Sequence, residues 1–516
     1  MRTLGIWFGI VGACLQAACT SVPDSVCGYS NLCVDAGDGG TGDAPSDVTV
    51  DAPPGCEPTK DPKDSPLCVA DSFGVFVSPT GSDTDPGTRA KPVATPTKGL
   101  DLAKKQNLPR VYICEGTYGA VSIAAAQDGL SLFGGFDCAT WTAGTKATSI
   151  VSPDNKPALK VDGATTTLVD LGLKNGNATV AGDSSIAALA IGGKLTLRRV
   201  SVEAGDGKAA TQPSAPADFG ARAADGDPGK VNAGGAKTDN ACANGSGTST
   251  GAFGGGPTPG GADGANGQPF AIYPVNPAGA TGGKGTTASA DCVMGLGRNG
   301  SYGPGGPGGA GALKLGALDA SGFKPGAGGD ATLGKVGEGG GGGASLDNSG
   351  GGGGGGSGGC GGVAGLGGAG GGASIALALV NTPATLQSVT LTSHNAGDGA
   401  QGGTGQKAQE GAFKGNGFGN ACPGGAGGHG GSGGGGGGGA GGLAAGIAWT
   451  ATAPSIDGTA TPTAPTLPNV TLGTAGKAGA AGAGGPAFKT TAPASNPGSD
   501  GTAGVVGVAQ AVLEVK

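Results

Sequence analysis

Residues 185–202 have the sequence SIAALAIGGKLTLRRVSV. Two β-rich runs, residues 186–191 and 195–202, flank turn-forming glycines, and this pattern predicts two short strands joined by a turn. The same order of two strands followed by a glycine-rich stretch recurs at residues 374–399 and 446–479. The sequence therefore predicts a repeated strand unit whose glycine-rich stretches leave from the same edge.

Further short β-rich runs flank this repeated unit. They lie at residues 121–123, 130–133, 149–151, 158–161 and 167–173, with a closing run within residues 505–516. Evenly spaced short strands fit a coil whose turns stack about 4.8 Å apart. We therefore predict an all-β protein built as a β-solenoid, with a β-sandwich as the competing architecture.

Residues 75–141 carry a resemblance to a known superfamily. Residues 75–83 (VFVSPTGSD) lead into a turn-rich stretch and a predicted helix at 97–105. The strand-like sequences 111–118 (VYICEGTY) and 130–136 (LSLFGGF) follow. This order resembles the opening of right-handed parallel β-helix proteins of the pectate-lyase-like superfamily. The resemblance implies a right-handed parallel β-helix with an N-terminal capping helix.

Glycine dominates the composition, with 120 of 516 residues, whereas aromatic residues make up 4% and charged residues 13%. Large apolar side chains are too few for several globular cores, and charge is too low for a solvated, disordered chain. Glycines three residues apart occur at 303–309, 359–371, 424–433 and 473–482. This spacing predicts polyglycine II bundles, with disordered flexible loops as the alternative. No triplet run is long enough for collagen.

The N-terminus predicts export. Residues 1–18 combine an early positive charge with a short apolar run, as in a secretory signal peptide. The small residues before Cys19 resemble the bacterial lipobox, and this resemblance implies that Cys19 is acylated. Cys14 is a competing lipidation site, and a plain signal peptide cut after Ala18 is a further alternative. Cleavage before Cys19 leaves ten other cysteines, an even number suited to disulfides in an oxidising compartment.

Those ten cysteines are the candidates for disulfide bonds, although sequence alone does not fix their connectivity. The suggested pairs are Cys27–Cys33, Cys56–Cys68, Cys114–Cys138, Cys242–Cys292 and Cys360–Cys422. The chain has no CxxC pair and only two histidines, His394 and His429. We therefore expect no metal site.

The predicted organisation alternates strand units with glycine-rich excursions. Its parts are a signal peptide (1–18), a lipidated acidic flexible tether (19–70), N-terminal β-helix rungs (71–203), a glycine-rich excursion (204–373), a rung (374–395), a second excursion (396–445), a rung (446–472), a third excursion (473–504) and a terminal strand (505–516).

Candidate catalytic residues are scattered. They are Asp154, Asp162, Asp170 and Asp183, with Arg198 or Arg199. Asp154 and Asp162 stand beside Pro153 and Gly163, as turn residues do. None of the six reproduces a catalytic motif, so we expect no catalytic site and no cofactor. Tyr118 and Trp141 are predicted to pack at the capped end, and His429 is predicted to lie exposed on a loop.

The charge of the chain and its resemblance to known envelope proteins together predict a surface protein. A net charge of −7 without a basic stripe argues against nucleic acid as a partner. The chain resembles the glycine-rich, PGRS-type β-helical lipoproteins of bacterial envelopes, and this implies a structural or binding role at the cell surface. Thr20 after Cys19 favours sorting to the outer membrane. Polysaccharide and other surface proteins are the expected partners.

The competing function is that of a calcium-dependent polysaccharide lyase or another carbohydrate-active enzyme on the same β-helix. A groove above a cluster of acidic and basic side chains would favour the enzyme. A strand face lined by Thr, Ser, Ala and Gly would favour binding or structure.

Overall fold

A computed structural model describes residues 51–153, 155–270, 279–285, 292–488 and 496–516. Within these ranges the chain is mostly β, and the one α-helix is α1 (Pro96–Lys105), so the predicted all-β class is confirmed. Short 3-10 helices span Pro66–Cys68 and Ala125–Gln127. No helix in the described part is long and apolar enough to cross a membrane.

Several sequence predictions lie outside the described residues. They concern the signal peptide 1–18, Cys14, the lipidated Cys19, the pair Cys27 and Cys33, residues 19–50 of the tether, and Asp154.

Three sheets with parallel pairing form the framework. The first sheet contains β1 (Gly74–Val77), β2 (Arg110–Cys114), β5 (Ser131–Phe136), β8 (Thr165–Val169), β11 (Lys194–Arg198), β18 (Ala384–Gln387), β21 (Ser455–Ile456) and, antiparallel to β21, β22 (Thr459–Ala460). The second contains β3 (Gly116–Tyr118), β6 (Thr148–Ser152), β9 (Gly172–Asn175), β12 (Ser201–Glu203), β19 (Thr390–Thr392) and β23 (Val470–Thr471).

The third sheet contains β4 (Val121–Ala124), β7 (Leu159–Asp162), β10 (Ser185–Ile191), β17 (Ser374–Val380), β20 (Ala444–Thr450) and β24 (Ala509–Glu514). Two hairpins form separate two-stranded sheets. They are β13 (Thr238–Ala241) with β14 (Thr248–Gly251), and β15 (Gly316–Asp319) with β16 (Gly322–Pro325). The predominance of parallel pairs is unlike a β-sandwich, whose sheets are antiparallel.

From β2 onward the chain visits the three sheets in turn. The predicted repeat is real at the level of strand pairing: Ser185 pairs with Ser374, Leu195 with Ala384, and Ser201 with Thr390. In each pair the partner lies 189 residues further along the chain. The long excursion between β12 and β17 therefore returns to the same register in all three sheets.

The glycine-rich excursions share one exit edge, as the repeat predicts. They follow β12, β19 and β23 of the second sheet and return to β17, β20 and β24 of the third. A polar ladder marks the exit. The N–H of Asp206 donates to Asn177 Oδ1, that of Asn395 to Asp206 Oδ1, and that of Thr474 to Asn395 Oδ1, at 2.8–3.1 Å. Each side chain thus satisfies a backbone donor of the next circuit where the strand pairing ends.

The main core lies between the three sheets. Alternation builds it: in β11, Leu195 and Leu197 are fully buried, whereas Lys194 is exposed. The same cluster includes Leu173, Val202 and Leu391 of the second sheet and Ile123, Val161 and Leu377 of the third.

The helix α1 covers the first end of this core. Leu100 and Ala103 of α1 are buried in the main cluster, and Thr95 caps the helix by accepting a hydrogen bond from the Lys98 N–H. The predicted helix at 97–105 is therefore confirmed. Tyr118 and Trp141 pack as predicted: Tyr118 lies in the main core, and Trp141 meets the Phe76 ring at a centroid distance of 4.8 Å.

Four disulfides connect described cysteines. The pairs Cys56–Cys68 and Cys114–Cys138 match the sequence prediction. The pairing predicted for the excursions is wrong, because the structure joins Cys242 to Cys360 and Cys292 to Cys422. The physical reason is topological: segments distant in sequence lie side by side, so the two bonds link residues 118 and 130 apart.

The glycine-rich segments lie alongside one another; we call the described residues within 204–373, 396–443 and 473–508 the glycine bundle. Backbone hydrogen bonds join its segments at every third residue. The N–H groups of Gly359, Gly362, Gly365 and Gly368 donate to the carbonyls of Gly428, Gly431, Gly434 and Gly437 at 2.8–2.9 Å. This regular pairing does not fit the alternative of flexible loops.

The density of glycine follows the position of a segment in the glycine bundle. Residues 351–362 are continuously buried, and ten of these twelve residues are glycine. In residues 363–370 exposed and buried positions mix, and Gly365 and Gly368 take buried positions. Uninterrupted glycine therefore marks an interior segment with neighbours on every side, whereas glycine at every third position marks a segment with one covered face.

We predict that Gly365→Ala destabilises the protein, because a Cβ at Gly365 would lie 2.0 Å from the Gly403 carbonyl oxygen. Forcing such segments apart is expected to cost about 1–3 kcal/mol. Thermal and denaturant unfolding measure the loss. Gly256→Ala is the matched control, since a Cβ there meets nothing within 4 Å. Equal stability of the two variants would contradict the close packing of the glycine bundle.

Candidate functional site

An open groove of about 390 Å³ crosses the corner between the first and second sheets. Its lining is mostly Gly, Ser and Thr, and includes Ser149, Gly172, Ser201 and Thr390 on adjacent strands. We call it the hydroxyl groove. Because the strands beneath it are packed and hydrogen-bonded, the groove is part of the framework itself.

A row of small polar residues runs along the hydroxyl groove. Ser149, Gly172, Ser201 and Thr390 pair in register across β6, β9, β12 and β19, and Thr117 of β3 extends the row. Parallel strands about 4.8 Å apart hold these side chains at a regular spacing. Gly172 makes a notch in the row, since a Cβ there would lie 3.3 Å from both the Ser149 and Ser201 hydroxyl oxygens.

The charged residues of the groove edge are bound to one another. Arg199 donates from Nε and Nη2 to the two carboxylate oxygens of Asp170, at 2.7 and 2.8 Å. Arg199 Nη2 also donates to Asp61 Oδ2 at 2.7 Å, and Arg198 Nη2 lies 2.6 Å from Asp61 Oδ1. Asp61 is only 6% exposed. This cluster therefore fixes the segment near Cys56–Cys68 against the first sheet.

Backbone geometry places Asp170 and Arg199 at the corner. Both have positive φ, 56° and 52°, as does Ser388 at 52° in the next circuit. The Asp170 N–H donates to the Arg198 carbonyl, and the Arg199 N–H donates to that of Gln387. The corner is thus repeated in successive circuits, which is why residues 29 apart in sequence form an ion pair.

Electrostatics make Arg199 a permanent cation. Its hydrogen bond to Asp170, with a further one to Asp61, raises the pKa of Arg199 above its ordinary value despite partial burial. A guanidinium held in this way does not accept a proton from a substrate. Arg199 is therefore suited to hold the corner rather than to act as a base.

Two further described candidates, Asp162 and Asp183, lie away from the groove. Asp162 at the end of β7 pairs with Lys160 at 3.3 Å, and Asp183 accepts a hydrogen bond from Asn155 at 2.7 Å. Of the five candidates that the structure describes, it brings together Asp170, Arg198 and Arg199. In the described part of the chain no three His, Cys, Asp or Glu side chains are grouped so that they could hold a metal ion.

The sequence interpretation missed Lys146 and the row of hydroxyls. Lys146 lines the groove and pairs with Glu115 and Asp137 at 3.2 and 3.4 Å. Its pKa is raised, chiefly by Glu115 and also by Asp137. Nothing in the local sequence signals this pairing. The hydroxyl row did have a sequence signal, which is a hydroxyl residue between two apolar residues. Ser201 lies between two valines, and Thr390 lies between a valine and a leucine.

His429 is not an exposed loop residue, so that prediction is wrong. Its ring stacks between Tyr302 and Phe488 at centroid distances of 4.9 and 4.4 Å, and its Nδ1 accepts a hydrogen bond from the Gly411 N–H at 2.9 Å. Burial lowers the pKa of His429; Lys407 adds to this effect, while Glu410 opposes it. His429 thus connects three segments of the glycine bundle in its neutral form.

The chain was compared with protein-family models, with curated proteins and with solved structures, and none of them matches it.

We predict that Arg199→Ala lowers the free energy of unfolding by about 1–3 kcal/mol, because Asp170 loses its partner and the buried Asp61 keeps only Arg198. Denaturant unfolding measures the change. Lys174→Ala is the control: its pair with Glu203 is more exposed, 55% and 37%, and is worth less than about 1 kcal/mol. Equal losses would show that the cluster at Asp61 does not hold the fold.

We also predict that acid weakens the glycine bundle through His429. The unfolded chain protonates histidine near pH 6.5, whereas burial holds the folded pKa lower. Stability from this residue is therefore present above about pH 6.5 and is lost as the pH falls toward the folded pKa. His429→Phe, which keeps a ring in the stack, should unfold with a flatter pH dependence between about pH 7 and 5.5.

The control for this pH experiment is His394→Gln, since His394 lies exposed beside Glu203 and outside the stack. The change in slope should be larger in His429→Phe than in this variant. An unchanged slope in His429→Phe would show that the stacked ring does not govern the acid response.

Proposed function

We propose that the protein is an exported, non-enzymatic binding protein that holds an extended polyhydroxylated chain, such as a polysaccharide, in the hydroxyl groove. The observation that carries the proposal is the row of Thr117, Ser149, Ser201 and Thr390, which lie in register on the second sheet with the Gly172 notch at the middle position. Hydroxyls held at fixed positions in this way both donate and accept hydrogen bonds. They match a ligand that repeats its own hydroxyls along its length.

We further propose that the three sheets form a right-handed parallel β-helix and that the glycine bundle consists of polyglycine II helices. The cyclic visits to three parallel sheets support the first assignment. Hydrogen bonds between segments at every third residue support the second, because a polyglycine II helix has three residues per turn and no hydrogen bonds of its own.

The proposed location is the outer membrane of a bacterium, with Cys19 as the lipid anchor and residues 20–50 as the tether. The predicted tether reached residue 70, but residues 51–70 carry the Cys56–Cys68 disulfide and the buried Asp61, which pairs with Arg198 and Arg199 of the folded body. Four disulfides support an oxidising compartment, periplasmic or extracellular. A tether of this kind would hold the groove away from the membrane, where it would meet polysaccharide or other surface proteins.

Binding is favoured over bond cleavage by the state of the charged side chains. Arg199 is bonded to Asp170 and Asp61, and Lys146 pairs with Glu115 and Asp137. The groove residues that remain for a ligand are chiefly Ser, Thr and Gly. The enzyme stays as the second candidate because Asp170, Arg199 and Lys146 do line the groove.

The test is binding of the mature protein to neutral and acidic polysaccharides, with and without calcium, by affinity electrophoresis and calorimetry. Gly172→Val fills the notch between Ser149 and Ser201, and we expect it to weaken binding by about tenfold or more. Thr471→Val is the control, since Thr471 is exposed on the same sheet but does not line the groove.

Three outcomes would reject the binding proposal. The first is a wild-type protein that binds none of the polysaccharides, and the second is a Gly172→Val variant that binds as tightly as wild type. The third is turnover, detected as new reducing ends or unsaturated product, that disappears in Arg199→Ala. That result would establish the enzyme instead.

A further inference from the structure

A second cavity lies at the last circuit of the sheets, on the opposite end of the core from α1. It has a volume of about 300 Å³ and lies between β18, β19 and the chain that connects β21 to β23. Six aliphatic side chains line it: Leu386, Val389, Leu391, Ile456, Leu467 and Val470. We call it the end cavity.

The end cavity exists because the last circuit is incomplete. Leu386 stacks on Leu197 in the circuit before it, and Leu391 stacks on Val202. After these, β21 and β23 contribute only two residues each, and Ile456 and Val470 are the last apolar side chains in the two files. The cavity continues the apolar core at a point where the chain provides no further layer.

The lining is graded from apolar to polar. Leu386 and Leu391 are buried, Ile456, Leu467 and Val470 are half-buried, and Asp457, Thr459 and Asn469 are exposed. An apolar cavity lined by Leu, Ile and Phe of about 150 Å³ takes up benzene, and ligand pockets begin at about 300 Å³. A short aliphatic chain therefore fits the space, with any polar group toward the exposed side.

The charge of the cavity lining determines which head group of a bound aliphatic chain is favoured. Asp457 is the one ionisable residue of the lining, and its Oδ1 accepts a hydrogen bond from the Ser388 N–H at 2.9 Å. The position of this carboxylate is thereby fixed at the polar side of the cavity. A carboxylate head group would be repelled there, whereas an ammonium would be attracted.

We infer that the end cavity binds a short aliphatic chain with a cationic or neutral head group. This site is distinct from the hydroxyl groove: its lining residues are different and it takes a ligand of another class, although the hydrogen bond between Asp457 and Ser388 joins its edge to the groove lining. The ligand adds the missing apolar layer of the last circuit and so stabilises that end of the molecule.

The test is calorimetric titration of the mature protein with decyltrimethylammonium, 1-decanol and decanoate. We expect saturable binding of the first two and at least about tenfold weaker binding of decanoate. Leu467→Trp fills the cavity and should abolish binding, while Leu313→Trp, at an 85% exposed leucine outside the lining, should not. Asp457→Asn should reduce the discrimination against decanoate.

A second measurement locates the ligand if Leu467→Trp does not fold. Trp449 belongs to the core cluster against which Ile456, Leu467 and Val470 pack, and its Nε1 donates to the Pro462 carbonyl at 2.8 Å. A bromine-labelled decyltrimethylammonium should therefore quench Trp449 fluorescence, and Trp449→Phe should remove that signal.

Three results would overturn the inference. They are the absence of saturable binding by wild type, undiminished binding by a folded Leu467→Trp variant, and binding that leaves Trp449 fluorescence unquenched. Preference for decanoate, unchanged in Asp457→Asn, would overturn the assignment of the head group.

Discussion

The pairing of strands 189 residues apart is the constraint on which the rest of the structure depends. Backbone hydrogen bonds between β10 and β17, β11 and β18, and β12 and β19 keep one register through three sheets. A slip of one residue in any sheet would turn its buried side chains outward. Because the register holds, the excursions leave and return at one edge, the corner at Arg199 repeats at Ser388, and the hydroxyls of Ser201 and Thr390 stay aligned.

Two kinds of core meet at that edge, and they place opposite demands on the sequence. The sheets bury alternating Leu, Val and Ile, whose apolar area stabilises the fold. In the glycine bundle the backbones pack on each other, and ordering each glycine costs about 0.5–1 kcal/mol more than ordering alanine. The Cys242–Cys360 and Cys292–Cys422 bonds offset part of this cost, since cross-links over long loops restrict the unfolded chain most.

Local sequence predicted local structure well. Short β-rich runs between turn residues identified strands, the segment at 97–105 identified α1, and the nearby pairs Cys56–Cys68 and Cys114–Cys138 were correctly assigned. The errors concern contacts between distant segments. The pairing of Cys242 depends on which excursion segments become neighbours, and the stack on His429 joins residues from three of them. Neither relation leaves a periodic signal, because glycine repeats look alike in every segment.

The candidate sites show the same difference between local features and contacts of distant segments. The sequence drew attention to Asp170, Arg198 and Arg199 because a polysaccharide lyase would need acidic and basic side chains, yet in the structure both arginines pair with Asp61 and Asp170 pairs with Arg199. The hydroxyl groove arises from the register between neighbouring strands, which the sequence of a single strand does not show. The end cavity arises because β21 and β23 have only two residues each. That they are too short to complete the core can be recognised only by comparison with the longer strands that they pair with.

The glycine bundle also has a consequence for how this surface can diverge over generations. Its segments are held side by side mainly by backbone hydrogen bonds, so their spacing depends little on the identity of the exposed side chains. Leu366, which is exposed next to the buried Gly365, stands at such an outward position. Substitutions at such positions change the exposed surface without requiring compensating changes in the interior of the glycine bundle. The surface can therefore diverge in sequence while the glycines are retained.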